Sequence, residues 1–230
     1  MSDLDHLYED NHLLAVNKPA GLLTQGDETG DPSLVDLVRV DLKARYQKPG
    51  NVYVGLVHRL DRPVSGVVLL AKTSKAAGRL SEQFRIGSVE KVYWAICEGA
   101  ITEEAGEWTD ALVKDAARNV VRVVPRDTSG SQEATLAFRV LGRRGDAQAW
   151  VELRPITGRS HQLRVQLAAR GLPIVGDVKY GSRARLEALD GGGRIALHAR
   201  SLTFSHPTRG EAIVLSAEAP ADWPSGWPRC

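Results

Sequence analysis

Ala134-Thr135-Leu136-Ala137-Phe138-Arg139-Val140 and, past a glycine-bearing turn, Ala149-Trp150-Val151-Glu152-Leu153 decide the fold class. Both runs carry the apolar, aromatic and β-branched residues of strands, and the turn between them is short enough to imply antiparallel pairing. The same pattern extends upstream through Val89–Ile96, Glu107–Val113 and Val120–Val124, with Gly, Asp, Asn or Ser between the runs. Further strands fit Arg194–Phe204 and Ala212–Ser216, and Leu4–Tyr8 with Leu13–Lys18 forms a hairpin turning at Asp10-Asn11. Helices are predicted in three places. One starts at Asp31-Pro32 and carries Leu34, Val35, Leu37, Val38 and Leu42 on one face. A second runs from a Ser74 cap to about Ile86, with Leu80 and Phe84 turned inward, and a third from Ser160 to Arg170 ends at Gly171. The predicted class is α+β: a large mixed or mainly antiparallel sheet flanked by helices.

With 230 residues, 43% of them hydrophobic, the chain can bury a substantial core as one large domain or two joined lobes. No apolar run approaches the ~20 residues of a membrane span, and the acidic N-terminus Met1-Ser2-Asp3-Leu4-Asp5-His6 lacks a hydrophobic signal region. Cys97 and Cys230 suggest no disulfide framework, which favours a cytoplasmic address. The formal charge of +2 says little, but its distribution says more. Acidic residues crowd the first 31 positions. Arg154, Arg159, Arg164, Arg170, Lys179, Arg183 and Arg185 are opposed over their span by Asp177 alone, a pattern that can follow a phosphate backbone.

His58-Arg59-Leu60-Asp61-Arg62-Pro63 sets one carboxylate between two guanidinium groups, in a connection between two apolar runs, Val52–Val57 and Gly66–Lys72, that read as core strands. An anionic Asp61 so placed suits a nucleophile or a base, not a proton donor. Pro63 and Ser65-Gly66 make the loop tight. The alternative is a structural Arg/Asp pair that pins a turn, and this segment alone does not separate the two. A second polar constellation, Thr157-Gly158-Arg159-Ser160-His161-Gln162-Leu163-Arg164, stands at a helix entrance, where exposed amides can meet a phosphate or base. Arg164 there is a partner for a distant acid or a local cap, with Gln162 facing water in the plainer reading.

Taken in order, these motifs resemble the RluA-type family of RNA pseudouridine synthases over nearly the whole chain. They are Val16-Asn17-Lys18-Pro19-Ala20-Gly21; His58 to Arg62 with Ser65-Gly66 and Ala71-Lys72; Lys91-Val92-Tyr93; Thr157 to Arg164; Gly176-Asp177 with Tyr180-Gly181; and His198-Ala199 with His206-Pro207. Several separated motifs in one order are more specific than any of them alone. The resemblance implies a single catalytic domain over 1–218 with a central active-site cleft, a C-terminal tail over 219–230 and no separate N-terminal RNA-binding domain. It implies that Asp61 is the catalytic aspartate, Arg59 fills the space left by a flipped nucleotide, Tyr93 stacks on the target uracil, Leu163 lines the base pocket and Arg164 pairs with Asp61. Val64, where threonine is common, and Gln166, where histidine is common, depart from the family pattern. The implied partner is ribosomal or transfer RNA, read by a monomer without nucleotide cofactor, metal or membrane.

Other chemistries fit less well. A glycosidase needs a second carboxyl near the first, and arginines surround Asp61 instead. The His-x-Glu and Cys-x-x-Cys ligands of a zinc deaminase, a P-loop and a dinucleotide fingerprint are absent, and the six histidines lack metal-ligand spacing. A non-catalytic RNA-binding or RNA-folding module remains the alternative.

Overall fold

The computed structural model describes residues 4–187, 193–221 and 223. In chain order the strands and helices are β1 (His6–Glu9), β2 (Leu13–Lys18), α1 (Leu34–Arg45), β3 (Gly55–Leu56), β4 (Ser65–Ala71), α2 (Ser74–Arg85) and β5 (Glu90–Glu98). Next come β6 (Ala105–Asp115), β7 (Val120–Val124), β8 (Gln132–Arg144), β9 (Gln148–Pro155) and α3 (Gln162–Ala168). A 3-10 turn (Val178–Tyr180), β10 (Leu186–Glu187), β11 (Gly193–Arg194), β12 (Leu197–Ser205) and β13 (Ala212–Ser216) complete the described chain. They form two compact units, residues 1–90 with 199–218 and residues 91–198 with 219–230. Both carry antiparallel strand pairs with helices beside them, so the α+β expectation holds.

In the first unit β1 pairs with β2, β2 with β4, β3 with β4, and β12 with β13, all antiparallel. Every residue of β4 is buried, and its alternate residues Val67, Leu69 and Ala71 share one face. That face packs with Leu13, Ala15, Ala76, Leu80, Leu202, Phe204 and Leu215 into one core. Gly66 allows β4 to approach closely: its φ is +118° and a Cβ there would sit 2.3 Å from the Ala199 carbonyl oxygen. The helix starts differ slightly from the expectation. Ser33, not Asp31, caps α1 in a reciprocal box with Asp36, and Thr73, not Ser74, caps α2. Val52–Val57 shortens to the two paired residues of β3.

The second unit runs β5-β9-β8-β6-β7, each neighbour antiparallel to the next. These strands match the alternating runs of the sequence closely. Helix α3 is shorter than expected, seven residues, and packs Val165 onto Leu112, Val121 and Ala134. Its polar side is fastened to β6: Gln166 Nε2 donates to Asp110 at 2.8 Å, and Arg170 Nη1 reaches the same carboxylate at 2.9 Å while stacking on Trp108. Cys97 is buried, and burial pushes its thiol pKa up. Cys230 lies outside the described residues.

Candidate active site

The connection from β3 to β4 holds Arg59 and Asp61 on one short loop, Arg59 exposed, Leu60 buried and Asp61 half-buried. Its form is set by backbone hydrogen bonds. Val64 N–H donates to the Asp61 carbonyl at 3.0 Å, closing a turn over Arg62-Pro63. Thr24 brackets Leu60, its hydroxyl donating to the Leu60 carbonyl at 2.7 Å and accepting from the Leu60 N–H at 3.2 Å. Gly21 and Arg62 exchange two bonds of 2.9 Å, Gly21 N–H to the Arg62 carbonyl and Arg62 Nε to the Gly21 carbonyl.

Beneath this arrangement lies Lys18, fully buried at the end of β2. Its ammonium donates to the carbonyls of Pro19 at 2.9 Å, Leu22 at 2.7 Å and Arg62 at 3.3 Å, tying two loops to one cation. A buried lysine is stable only with such partners. These bonds fix the Pro19–Thr24 stretch. His58 braces the loop from its other end: the Leu69 N–H donates to His58 Nε2 at 2.9 Å and the ring stacks on Phe84 at 4.8 Å. Arg62, expected beside Asp61, reaches Asp31 at 2.8 Å with its guanidinium.

The second unit places Tyr93 half-buried on β5 and sets Leu163 and Arg164 side by side, both buried, on α3. Arg164 is clasped by Asp177: Nε donates to Oδ2 at 2.7 Å and Nη2 to Oδ1 at 2.8 Å, with side chains 7% and 1% exposed. The Tyr180 ring lies 5.0 Å from the guanidinium carbon. The helix entrance is knitted rather than open. Gln162 is buried, its amide oxygen accepting from Thr157 Oγ1 at 2.7 Å and Arg159 N–H at 3.0 Å, while its nitrogen donates to the Thr135 carbonyl at 3.0 Å. The plainer expectation of a solvent-facing Gln162 is corrected, because the turn before α3 needs its donors and acceptors satisfied internally.

Lys91, two residues before Tyr93 and so on the same face of β5, was not singled out from the sequence. Its ammonium has no hydrogen-bond or ion-pair partner among the described residues, and burial pushes it down from the ordinary lysine value. Lys18 and Asp177 were also visible only as motif letters. Lys18 stands in an Asn-Lys-Pro stretch and Asp177 in Gly176-Asp177, but nothing local says which carbonyls or which guanidinium each would hold.

The loop that carries Asp61 is braced by bonds to its backbone, and the Arg164 guanidinium is clasped by Asp177. The sequence model of RNA pseudouridylate synthases matches residues 12–169, and the chain belongs to that family of RNA-acting isomerases, as the order of its motifs predicted. The chain is 36% identical over 223 residues to an uncharacterized RNA pseudouridine synthase of Bacillus subtilis (strain 168), covering 96% of this chain and 70% of that relative. It is also 36% identical over 228 residues to the ribosomal large subunit pseudouridine synthase C of Escherichia coli (strain K12), covering 97% and 68%. Among solved structures, the human RNA Pseudouridylate Synthase Domain Containing 4 superposes with a TM-score of 0.77 at 29% identity, covering 94% of this chain and 89% of that one.

Proposed function

We propose that the protein isomerises uridine to pseudouridine in structured RNA, with Asp61 as the catalytic carboxylate. Ribosomal RNA is the first candidate, because relatives such as the Escherichia coli enzyme are named for the large ribosomal subunit; transfer RNA is the second. The observation that carries the reading is the Asp61 loop itself, held by Lys18, Thr24 and Gly21 so that a half-buried carboxylate is presented on a fixed support. Such a group is placed in advance for attack or proton abstraction at a sugar.

In the reaction the N1–C1′ bond breaks, a C5–C1′ bond forms, the C5 proton leaves and N1 gains a proton. Asp61 either attacks C1′ or removes a proton from the sugar. A uridine in a stem has to leave its stack first, at a cost of a few kcal/mol. Arg59, exposed on the Asp61 loop, fills the vacated space; Tyr93 supplies a flat face for the uracil, Leu163 an apolar wall, and Arg164 a cation for Asp61. Lys91, a half-buried ammonium without an acid of its own among the described residues, offers a contact to a phosphate. Since Arg164 and Arg170 are committed to Asp177 and Asp110, the outward cations Arg159, Lys179, Arg183 and Arg185 carry the rest of the backbone contact. With about four such contacts to a single-stranded site, the log-log salt slope of binding is about −3.

Pseudouridine mapping in ribosomal and transfer RNA from cells with and without the protein tests this. Loss of pseudouridine at defined sites is the expected result. An unchanged map, or release of free uracil by the purified protein, contradicts it.

A further inference from the structure

We propose that Asp177 and Tyr180 are positioning residues that form a fixed cradle aiming the Arg164 guanidinium, an inference that rests on the reading of Arg164 as the partner of the catalytic carboxylate. The two oxygens of Asp177 take the Nε and Nη2 hydrogens along one edge of the guanidinium, so the carboxylate sets both the plane and the direction of the group. From below, the Tyr180 ring supports it.

The cradle is itself immobilised from several sides. The Tyr180 hydroxyl accepts from the Val121 N–H at 2.9 Å and lies 2.7 Å from His161 Nδ1. His161 stands at the start of α3 in a left-handed conformation, φ 50°, so this contact anchors the helix that bears Arg164. Asp177 donates its N–H to the Ile174 carbonyl, and its own carbonyl accepts from Tyr180 N–H at 2.9 Å and Ser182 N–H at 3.0 Å. Gly176 precedes it at φ +89°, where a Cβ would meet the Arg194 carbonyl oxygen at 2.6 Å. A side chain at 176 is excluded, which keeps the Asp177 backbone where it is.

Stability alone does not account for this construction. A buried ion pair rarely outperforms apolar packing of the same volume, and α3 is already held by Val165 in the core and by the bonds of Gln166 and Arg170 to Asp110. What the clasp adds is orientation, and misplacement of a catalytic group by about 1 Å costs about 100-fold in rate.

The test is a double-mutant cycle in single-turnover kinetics, using in-vitro transcribed ribosomal or transfer RNA, whichever the wild type modifies. Asp177→Asn is expected to lower kcat about 100-fold with KM within about threefold of wild type. In an Arg164→Lys background the same change is expected to add less than about threefold, because both substitutions disable one group. Tyr180→Phe keeps the ring and removes the hydroxyl ties, and is expected to slow turnover about five- to tenfold at unchanged RNA affinity. Multiplicative effects in the double variant, a wild-type rate for Asp177→Asn, or a wild-type rate for Tyr180→Phe where Asp177→Asn does not fold would each overturn the cradle. A wild-type rate for Arg164→Lys overturns the reading of Arg164 beneath it, a distinct failure seen in the single variant alone.

Discussion

Asp61 and Arg164 are held in opposite ways. The aspartate rides on a loop whose backbone does the bonding: its neighbours' carbonyls are gathered by Lys18 and Thr24, and its own carbonyl closes the turn with Val64. Arg164 is fixed through its side chain, by a carboxylate and a ring that reach it from a separate segment. In the first arrangement Lys18, Thr24 and Val64 bond to backbone carbonyls of the loop, whatever side chain stands at 61. In the second, removing the guanidinium leaves Asp177 as a buried charge without its partner.

That contrast is broken most strongly at the arginine. Arg164→Met is expected to cost about 3–5 kcal/mol in urea unfolding, and pairing it with Asp177→Leu should restore most of the loss. Equal stability of Arg164→Met and wild type would remove the distinction. On the other side, Lys18→Met leaves the Pro19, Leu22 and Arg62 carbonyls without their ammonium. It is expected to cost about 2–3 kcal/mol and to slow single-turnover pseudouridine formation about tenfold or more with the residue at 61 unchanged.

A smaller effect is read through pH at the first unit's hairpin. Burial raises the Asp10 carboxyl, but donors from His12 N–H, His206, Leu13 N–H and Tyr8 outweigh it and leave the group at about 2. At Glu9 burial likewise raises and bonds from Lys72, Tyr46 and Arg45 outweigh it, again to about 2. Both folded values lie below the unfolded ones of 3.8 and 4.5, so their stabilisation is present above those values and is lost as pH falls toward 2. Each contributes on the order of 1 kcal/mol after solvent screening. Urea midpoints should fall between pH 4.5 and 2, less steeply in Asp10→Asn, and an equal slope in that variant would contradict the assignment. Smallest of all is the pair of Arg62 and Asp31, 45% and 47% exposed: Asp31→Asn should change stability by less than about 0.5 kcal/mol.

How much of this was legible follows from the range of the forces. β5 to β9 could be read because burial alternates along a strand and turn residues separate the runs, both local signals. The placement of Asp61 between two strands was legible for the same reason. Val52–Val54 was misread as strand because apolar content alone does not supply a pairing partner. Gln162 looked solvent-facing by type, yet it answers a backbone carbonyl 27 residues away, and Gln166, read only as a departure from the family pattern, donates to a carboxylate 56 residues away. Lys18 and Asp177 were hidden for that reason too: a charge reads as surface until the fold reveals the carbonyls or the guanidinium around it. The arginine-rich run was legible as a patch, but two of its members turn inward onto acids.

The central claim is that the carboxylate of Asp61 performs the chemistry on a loop whose backbone is held by Lys18, Thr24 and Gly21. Release of tritium from C5-tritiated RNA, measured beside RNA affinity for wild type and Asp61→Asn, tests it most directly. The account predicts release by the wild type and a loss of at least about 1000-fold in Asp61→Asn, with affinity for RNA and thermal stability retained. Equal release by both proteins would contradict it.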